Sequence, residues 1–349
     1  MTGVGMNKKL TISLVTWNGE KYLPLLFSSL QKQTFQDFDL VILDNGSSDS
    51  TTNVILSEAK DLDSSGKPQN DSRVRIIKKK KNIGFASAHN EIFEKSDSDY
   101  FLVLNQDIFL KEDALEKLVK FLDENKGVAS VAPILNKWVN PSVIPAQAGI
   151  QEVDSLGLKV LRNRRVVENK ETPQQVRDSN VVEVFGISGA CAMYYREAVE
   201  EVGGLFDGDY LAYKEDVDVS FRLRQGGLKS CVLLSAQAWH DRTGSEKSKK
   251  DSEQAENKKK QSDLVKYQSY RNHLITIYKN EYWQNFTIDF PFILWYELKK
   301  FLWFLIFDRE VLKGLLEIWK MRKELKMKRR AIIKTRKLNW KQMRKVFTL

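Results

Sequence analysis

Five short, mostly apolar runs punctuate the first part of the chain: LTISLV at 10–15, FDLVIL at 38–43, VRII at 74–77, YFLVL at 100–104 and VASVAP at 128–133. Between them lie stretches with helical spacing: Pro24–Gln31, which sets Leu25, Leu26 and Leu30 on one face, then Ser50–Glu58, Phe85–Glu94 and Ala114–Glu124. A strand that is apolar along its whole length has no wet face. Strands of that kind joined by helices predict an α/β fold, a Rossmann-like and mostly parallel sheet flanked by helices on both sides. The 349 residues suffice for one such domain and an appendage.

Three polar stretches interrupt the pattern. Lys60–Ser72 carries Leu62 as its one large apolar residue, Asn136–Asn180 mixes prolines with charges, and Gly244–Asp263 has Ala255 as its single apolar residue. The first two read as insertions near 60–72 and 136–180. The third, 244–263, reads as a mobile loop, a candidate lid over a site. The organisation expected is a main domain over 7–285 and an apolar helix with a basic helical tail over 286–349.

Charge sharpens that division. The net charge is +10, but residues 313–349 alone hold 14 Lys and Arg against 2 Asp and Glu, which leaves the rest of the chain slightly acidic. A basic tail beside an apolar segment suits an anionic membrane surface, whereas nucleic-acid binding would want basic and aromatic residues interleaved on the main body. Phe290–Phe307 is strongly apolar yet has Glu297, Lys299 and Lys300 at its centre. Charges there oppose a span, so a helix lying in the interface is expected, with Trp295, Tyr296 and Trp303 at the headgroup level. The N-terminus MTGVGMNKKL shows no secretory pattern, and two cysteines, Cys191 and Cys231, make no disulfide framework. A reducing compartment is the expectation.

No glycine-rich dinucleotide loop and no phosphate-binding P-loop follows a strand. Acidic residues stand at strand ends instead: Asp44 after VIL, and Asp107 after YFLVLNQ. Ligands of an open parallel sheet bind at the carboxyl ends of its strands. Taken singly, either aspartate is as well explained as a turn former or helix cap.

The ordered set VTWN, VILDNGSSD, KNIGFASAHN, VLNQD, SGACAMYYREAVEEVGGLFDGDYLAYKEDVDVSFRLRQGG, WHDRTGS and YRNHL resembles glycosyltransferase family 2, over roughly residues 9–280. It is most similar to the rhamnosyltransferase-type members that build O-antigen and related cell-surface polysaccharides. The resemblance implies a GT-A fold and an inverting transfer from a nucleotide-diphosphate sugar, with dTDP-rhamnose as the candidate donor, to a hydroxyl of a lipid-linked or polysaccharide acceptor. Localisation would be peripheral, on the cytoplasmic face of the cell membrane. A divalent cation, Mg²⁺ or Mn²⁺, would stabilise the leaving diphosphate, held by Asp107 and by His240 of AWHDRTGS. The family's D-x-D appears here as Asn105-Gln106-Asp107, so its first acid is an amide. Glu215 and Asp216 open a helix where the family keeps its catalytic acids, with Asp216 as general base; capping is the plainer role for either. Asp218 is placed to pair with Arg222. Donor binding falls on Thr16, Asn18, Asp44, Asn45, Asn82, Gly84, Asn105, Gly189 and Arg271, although Arg271 can equally pair with a carboxylate in the core. Two other readings compete. A sugar-1-phosphate nucleotidylyltransferase would want a glycine-rich basic loop after the first strand, which VTWNGEKYL lacks. A non-catalytic basic protein that binds membrane or nucleic acid would rest on the tail alone.

Overall fold

The computed structural model describes residues 8–62, 73–138, 152–170, 180–241 and 263–348. The first five expected strands form as β1 (Leu10–Thr16), β2 (Phe38–Asp44), β3 (Val74–Lys78), β4 (Tyr100–Asn105) and, after the short β5 (Ile108–Leu110), β6 (Val128–Lys137). Their connecting helices are α1 (Leu23–Gln31), α2 (Thr51–Leu62), α3 (Phe85–Glu94) and α4 (Ala114–Glu124). Four strands pair in parallel in the order β4-β1-β2-β3. The order reverses at β1, so the crevice at the carboxyl ends of β1 and β4 is a topological switch point.

Apolar residues alternate between the two faces, as the pleat requires. Leu40, Ile42, Leu102 and Leu104 fill one core layer, while Val41, Leu43, Phe101 and Val103 fill the other. This accounts for the absence of polar alternation in these strands and bears out the α/β, mostly parallel reading.

The second half of the chain departs from pure parallel winding. β7 (Val153–Ser155), β8 (Leu158–Leu161), β9 (Val166–Glu168), β10 (Val181–Val184), β11 (Cys191–Tyr195), α5 (Arg196–Glu201), α6 (Glu215–Gln225) and β12 (Lys229–His240) follow. β11 inserts antiparallel between β4 and β6, β12 runs parallel to β6, and β10 closes that edge antiparallel. The segment 136–180, which the sequence left without assigned elements, supplies β7 to the main sheet and β8–β9 to a small second sheet. Most of the insertion near 60–72 and nearly all of the 244–263 loop lie outside the described residues.

The C-terminal region consists of α7 (Asp263–Asn280), α8 (Trp283–Phe307), a 3₁₀ turn (Arg309–Leu312), α9 (Lys313–Lys320), α10 (Arg322–Thr335), α11 (Trp340–Arg344) and β13 (Phe347–Thr348). β13 pairs with β8, so the end of the tail closes the small sheet. Helix α8 is inverted relative to an ordinary surface helix. Its inward stripe carries Asn285, Asp289, Ile293 and Phe304, and its outward faces carry Phe290, Phe292, Leu294, Trp295, Leu302 and Ile306. Two of the charges that oppose a span are engaged: Glu297 receives His273 Nε2 at 2.7 Å, and the Lys300 ammonium lies 4.6 Å from the Tyr270 ring centroid. Among the described residues, no helix is long and apolar enough to cross a membrane.

Candidate active site

The tips of three neighbouring strands form the first part of the site. Thr16 stands opposite Asp44, and Val15 opposite Asn105, so the carboxyl ends of β1, β2 and β4 lie side by side. Asp44 is buried and accepts from Ser47 N at 2.9 Å and from Thr52 Oγ1 at 2.6 Å. Burial alone would raise its pKa, but these bonds outweigh burial and hold it below the ordinary value. Asn18 adopts a left-handed backbone, φ 51°, and its Oδ1 accepts Ser48 N at 2.9 Å. Asn45 Oδ1 accepts Ile83 N at 2.9 Å, while its Nδ2 donates to Asn82 Oδ1 at 3.1 Å. Asn82 in turn caps Gly84 N at 2.8 Å. Gly84 needs φ 90°, and a Cβ there would meet Leu211 O at 2.6 Å, so the start of α3 abuts the loop before α6. Gln106, the middle of N-Q-D, received no role from sequence. It ties the β1 tip to the β4 tip by accepting from Thr16 Oγ1 at 2.6 Å and Trp17 N at 3.0 Å.

The second part is the start of α6. Gly189 N donates to Asp216 Oδ2 at 3.2 Å, and Val217 N to Asp216 Oδ1 at 2.7 Å. Next to Gly189, Ala190 O accepts Asn105 N at 2.9 Å. Two short bonds thus connect Asp216, through Gly189 and Ala190, to the β4 tip that carries Asp107. The preceding backbone is strained, with Tyr213 at φ 71° and Lys214 at φ 75°. Glu215 is buried, and among the described residues its Oε2 has no hydrogen-bond partner. Burial first, and the adjacent Asp216 second, push its pKa up to about 8. Burial also raises Asp216, while Lys214 and the Gly189 amide draw it back. Burial thus raises the two carboxyls together, while Lys214 and the Gly189 and Val217 amides favour the charged form of Asp216.

Asp218 points away from this rim. It accepts from Arg222 Nε at 3.0 Å, Lys279 Nζ at 2.9 Å and Asn280 Nδ2 at 2.8 Å. Lys279 also meets Asp207, which Lys328 of α10 reaches at 2.6 Å. The start of α6 is therefore fixed by charges brought from α7 and α10. Arg271 is buried, with Nε 2.8 Å from Glu317 Oε2 and Nη1 donating to Asp209 O at 3.1 Å. Of its two expected roles, the structure realises the carboxylate pair.

The third part is the junction of β5 and β12. His240 Nε2 lies 3.5 Å from Asp107 Oδ2, and Nδ1 lies 3.1 Å from Asp154 Oδ2. Asp241 N donates to Asp107 O at 3.1 Å, and the buried Asp241 carboxylate accepts from Tyr22 Oη at 2.8 Å. Asp154 and Asp241 escaped the sequence reading; no local pattern marks either one. Among the described residues, no group of three or more His, Cys, Asp or Glu is arranged to hold a metal ion. Asp107 and His240 form a pair of donors of the types Mn²⁺ accepts. Their separation is near the roughly 3 Å expected of two neighbouring ligands about 2.1 Å from a shared small cation. Such an ion normally completes its shell with phosphate oxygens and water.

Residues 11–203 match the family model described as Glycosyl transferase family 2. The chain belongs to that family. As a family 2 glycosyltransferase it is 24% identical over 254 residues to the N-acetylglucosaminyl-diphospho-decaprenol L-rhamnosyltransferase of Mycobacterium tuberculosis, covering 69% of this chain and 78% of that one. It is 25% identical over 216 residues to the O-antigen chain rhamnosyltransferase WbaN of Salmonella anatum, covering 61% and 60%. To the teichoic acid poly(glycerol phosphate) polymerase of Staphylococcus epidermidis it is 30% identical over 126 residues, 36% of this chain but only 16% of that protein. The structure of GalNAc-T7 with UDP, GalNAc and Mn²⁺ superimposes with a TM-score of 0.58 at 15% identity, covering 78% of this chain and 48% of that one. That likeness is one of fold, and it places the glycosyltransferase in the GT-A class.

Proposed function

We propose that this family 2 glycosyltransferase is an inverting, metal-assisted enzyme that moves a sugar from a nucleotide-diphosphate sugar to a hydroxyl of a lipid-linked or polysaccharide acceptor. The observation that carries the reading is the short chain of bonds from Asp216 through Gly189 and Ala190 to Asn105. It joins the Asp216 carboxyl to the rim where β1, β2 and β4 end. Thr16, Asn18, Asp44, Asn45 and Asn105 would hold the nucleoside, and the backbone around Asn82 and Gly84 would line the path of the diphosphate. Asp107 and His240 would hold the cation, which supplies positive charge against the leaving diphosphate. Asp216 takes the proton of the acceptor hydroxyl as that oxygen bonds to the anomeric carbon and the bond to the diphosphate breaks. The two rhamnosyltransferases among its relatives favour a dTDP-rhamnose donor.

The same proposal sets the enzyme on the anionic, cytoplasmic face of the membrane. Helix α8 turns Asp289, Glu297 and Lys300 toward the protein, leaves Lys299 exposed and shows its apolar side outward, and Leu316 and Trp319 of α9 are also exposed. This is the form of a helix that meets lipid, with basic residues nearby for anionic headgroups. Nucleic acid is not an expected partner, because the excess positive charge is confined to the tail.

A donor-hydrolysis screen across nucleotide sugars, with and without Mn²⁺, tests the chemistry; turnover of one donor with Mn²⁺ is expected. No turnover of any donor under either condition would count against transferase activity. Sedimentation with phosphatidylglycerol vesicles, weakened by salt and by Trp295→Ser with Ile306→Ser, tests the surface. Equal recovery with and without vesicles would exclude it.

A further inference from the structure

The second ring nitrogen of His240 has a built partner. β7 emerges from the segment 136–180 and pairs with the far end of β6, where Leu135 faces Ser155 and Asn136 faces Val153, with a bulge between Leu135 and Asn136. On the other edge of that stretch, β12 places His240 opposite Lys137. Asp154 is thereby brought, almost wholly buried, to 3.1 Å from His240 Nδ1. Lys170 Nζ, partly exposed, lies 3.9 Å from its other oxygen.

Building on the reading of His240 as a cation ligand, we propose that Asp154 is a positioning residue for the metal site: it accepts the Nδ1 proton of His240 and so presents Nε2, with its lone pair, beside Asp107. Burying a carboxylate is unfavourable unless it is paired, so its placement against an imidazole needs a compensating donor, and Nδ1–H is that donor. With Nδ1 donating to Asp154, the neutral imidazole carries its lone pair on Nε2. That nitrogen lies 3.5 Å from the Asp107 carboxylate, a spacing that calls for positive charge between them, a proton or a metal ion. A divalent cation supplies that charge and turns the contact into ligation. Histidine ligands of metals commonly hand their other ring nitrogen to a carboxylate, which fixes both tautomer and ring orientation. Asp154 is itself the extra residue of this bulge, because one step along β6, Leu135 to Asn136, spans two along β7, Ser155 to Val153, and bulges re-aim side chains in this way.

The test is a titration of the full chain with Mn²⁺ alone, read by loss of the free-ion electron paramagnetic resonance signal. It compares the wild type with His240→Ala, Asp154→Ala and Asp154→Asn. His240→Ala should lose the site. Asp154→Ala should weaken Mn²⁺ by about 10–100-fold, the usual effect of removing such an outer partner. Asp154→Asn should remain within a few-fold of wild type, because its amide oxygen still accepts from Nδ1–H, and it guards against a folding defect in the alanine variant. Wild-type affinity in Asp154→Ala together with loss in His240→Ala would overturn the role of Asp154 while leaving the metal reading intact. A loss in Asp154→Asn equal to that in Asp154→Ala would overturn orientation in favour of charge alone. Wild-type affinity in His240→Ala would overturn both readings.

Discussion

The donor strands' tips and the start of α6 meet at one rim but are built in opposite ways. Around Asp44, Asn45, Asn82 and Gln106 the side chains bond to neighbouring loops, mostly through neutral amides, hydroxyls and backbone groups. Around α6 the support is ionic and buried: Asp218 with Arg222 and Lys279, then Asp207 with Lys279 and Lys328. A neutral hydrogen-bonded loop tolerates the loss of one bond at moderate cost. A buried charge network does not, because each ion depends on partners drawn from distant helices. The strained Tyr213–Lys214 turn sits on the ionic side, so the network also fixes the backbone that aims the Glu215–Asp216 pair.

The largest effect should come from Asp216, the side chain on the ionic side that is proposed to meet substrate. Asp216→Asn keeps the shape and one of the two accepted backbone bonds but cannot take a proton. Turnover should fall about 10²–10⁴-fold, the contribution of a general base, with nucleotide binding little changed. Steady-state kinetics beside a nucleotide titration checks this. If nucleotide affinity falls in step with turnover, the two regions are not separable as described.

The contrast in construction is read most directly from stability. Lys279→Met removes the cation shared by Asp207 and Asp218 and should destabilise the fold by about 3–5 kcal/mol, as breaking a buried ion pair does. Asn45→Ala, on the donor side, removes a buried amide with three neighbours and should lose about 1–3 kcal/mol. Denaturant unfolding of both variants decides. Equal losses would erase the distinction.

Legibility from sequence follows the same line. The strands β1, β2 and β4 and the helices α3 and α4 were readable because local apolar pattern is enough to specify a parallel core. Asp44 and Asp107 were singled out at strand ends and Asp216 at a helix start, but position alone reads as a cap or turn, and it was the resemblance to glycosyltransferase family 2 that gave them roles. Asp154 was not, because β7 is three residues long, is bulged at Asp154 and pairs only with the end of β6. Lys328 was counted as part of a basic tail, and nothing within α10 sets it apart from the cations beside it. Its partners Asp207 and Asp209 are more than a hundred residues away, and only the packing of α10 on the main domain brings them together. Gln106 was quoted within N-Q-D but passed over, since the chemistry of that motif directs attention to its two ends.

The smallest effect concerns protons on the ionic side. Glu215 is raised from the ordinary carboxyl value of 4.5 to about 8 in the folded enzyme. A carboxyl raised on folding binds its proton more tightly in the native state than in the unfolded chain. Its contribution is therefore full below pH 4.5 and is lost as pH rises toward 8. One proton gives a slope of at most about 1.4 kcal/mol per pH unit across that window. Glu215→Gln cannot titrate, so thermal unfolding of the variant should lose less stability than the wild type between about pH 6.0 and 7.5. The gap should be about 1 kcal/mol per pH unit. The donor side supplies the control: Asp44, held below its ordinary value, is already ionised through that range, and Asp44→Asn should leave the pH slope unchanged. Parallel curves for wild type and Glu215→Gln would mean that Glu215 is ionised in the native enzyme and that the proton of the pair sits elsewhere.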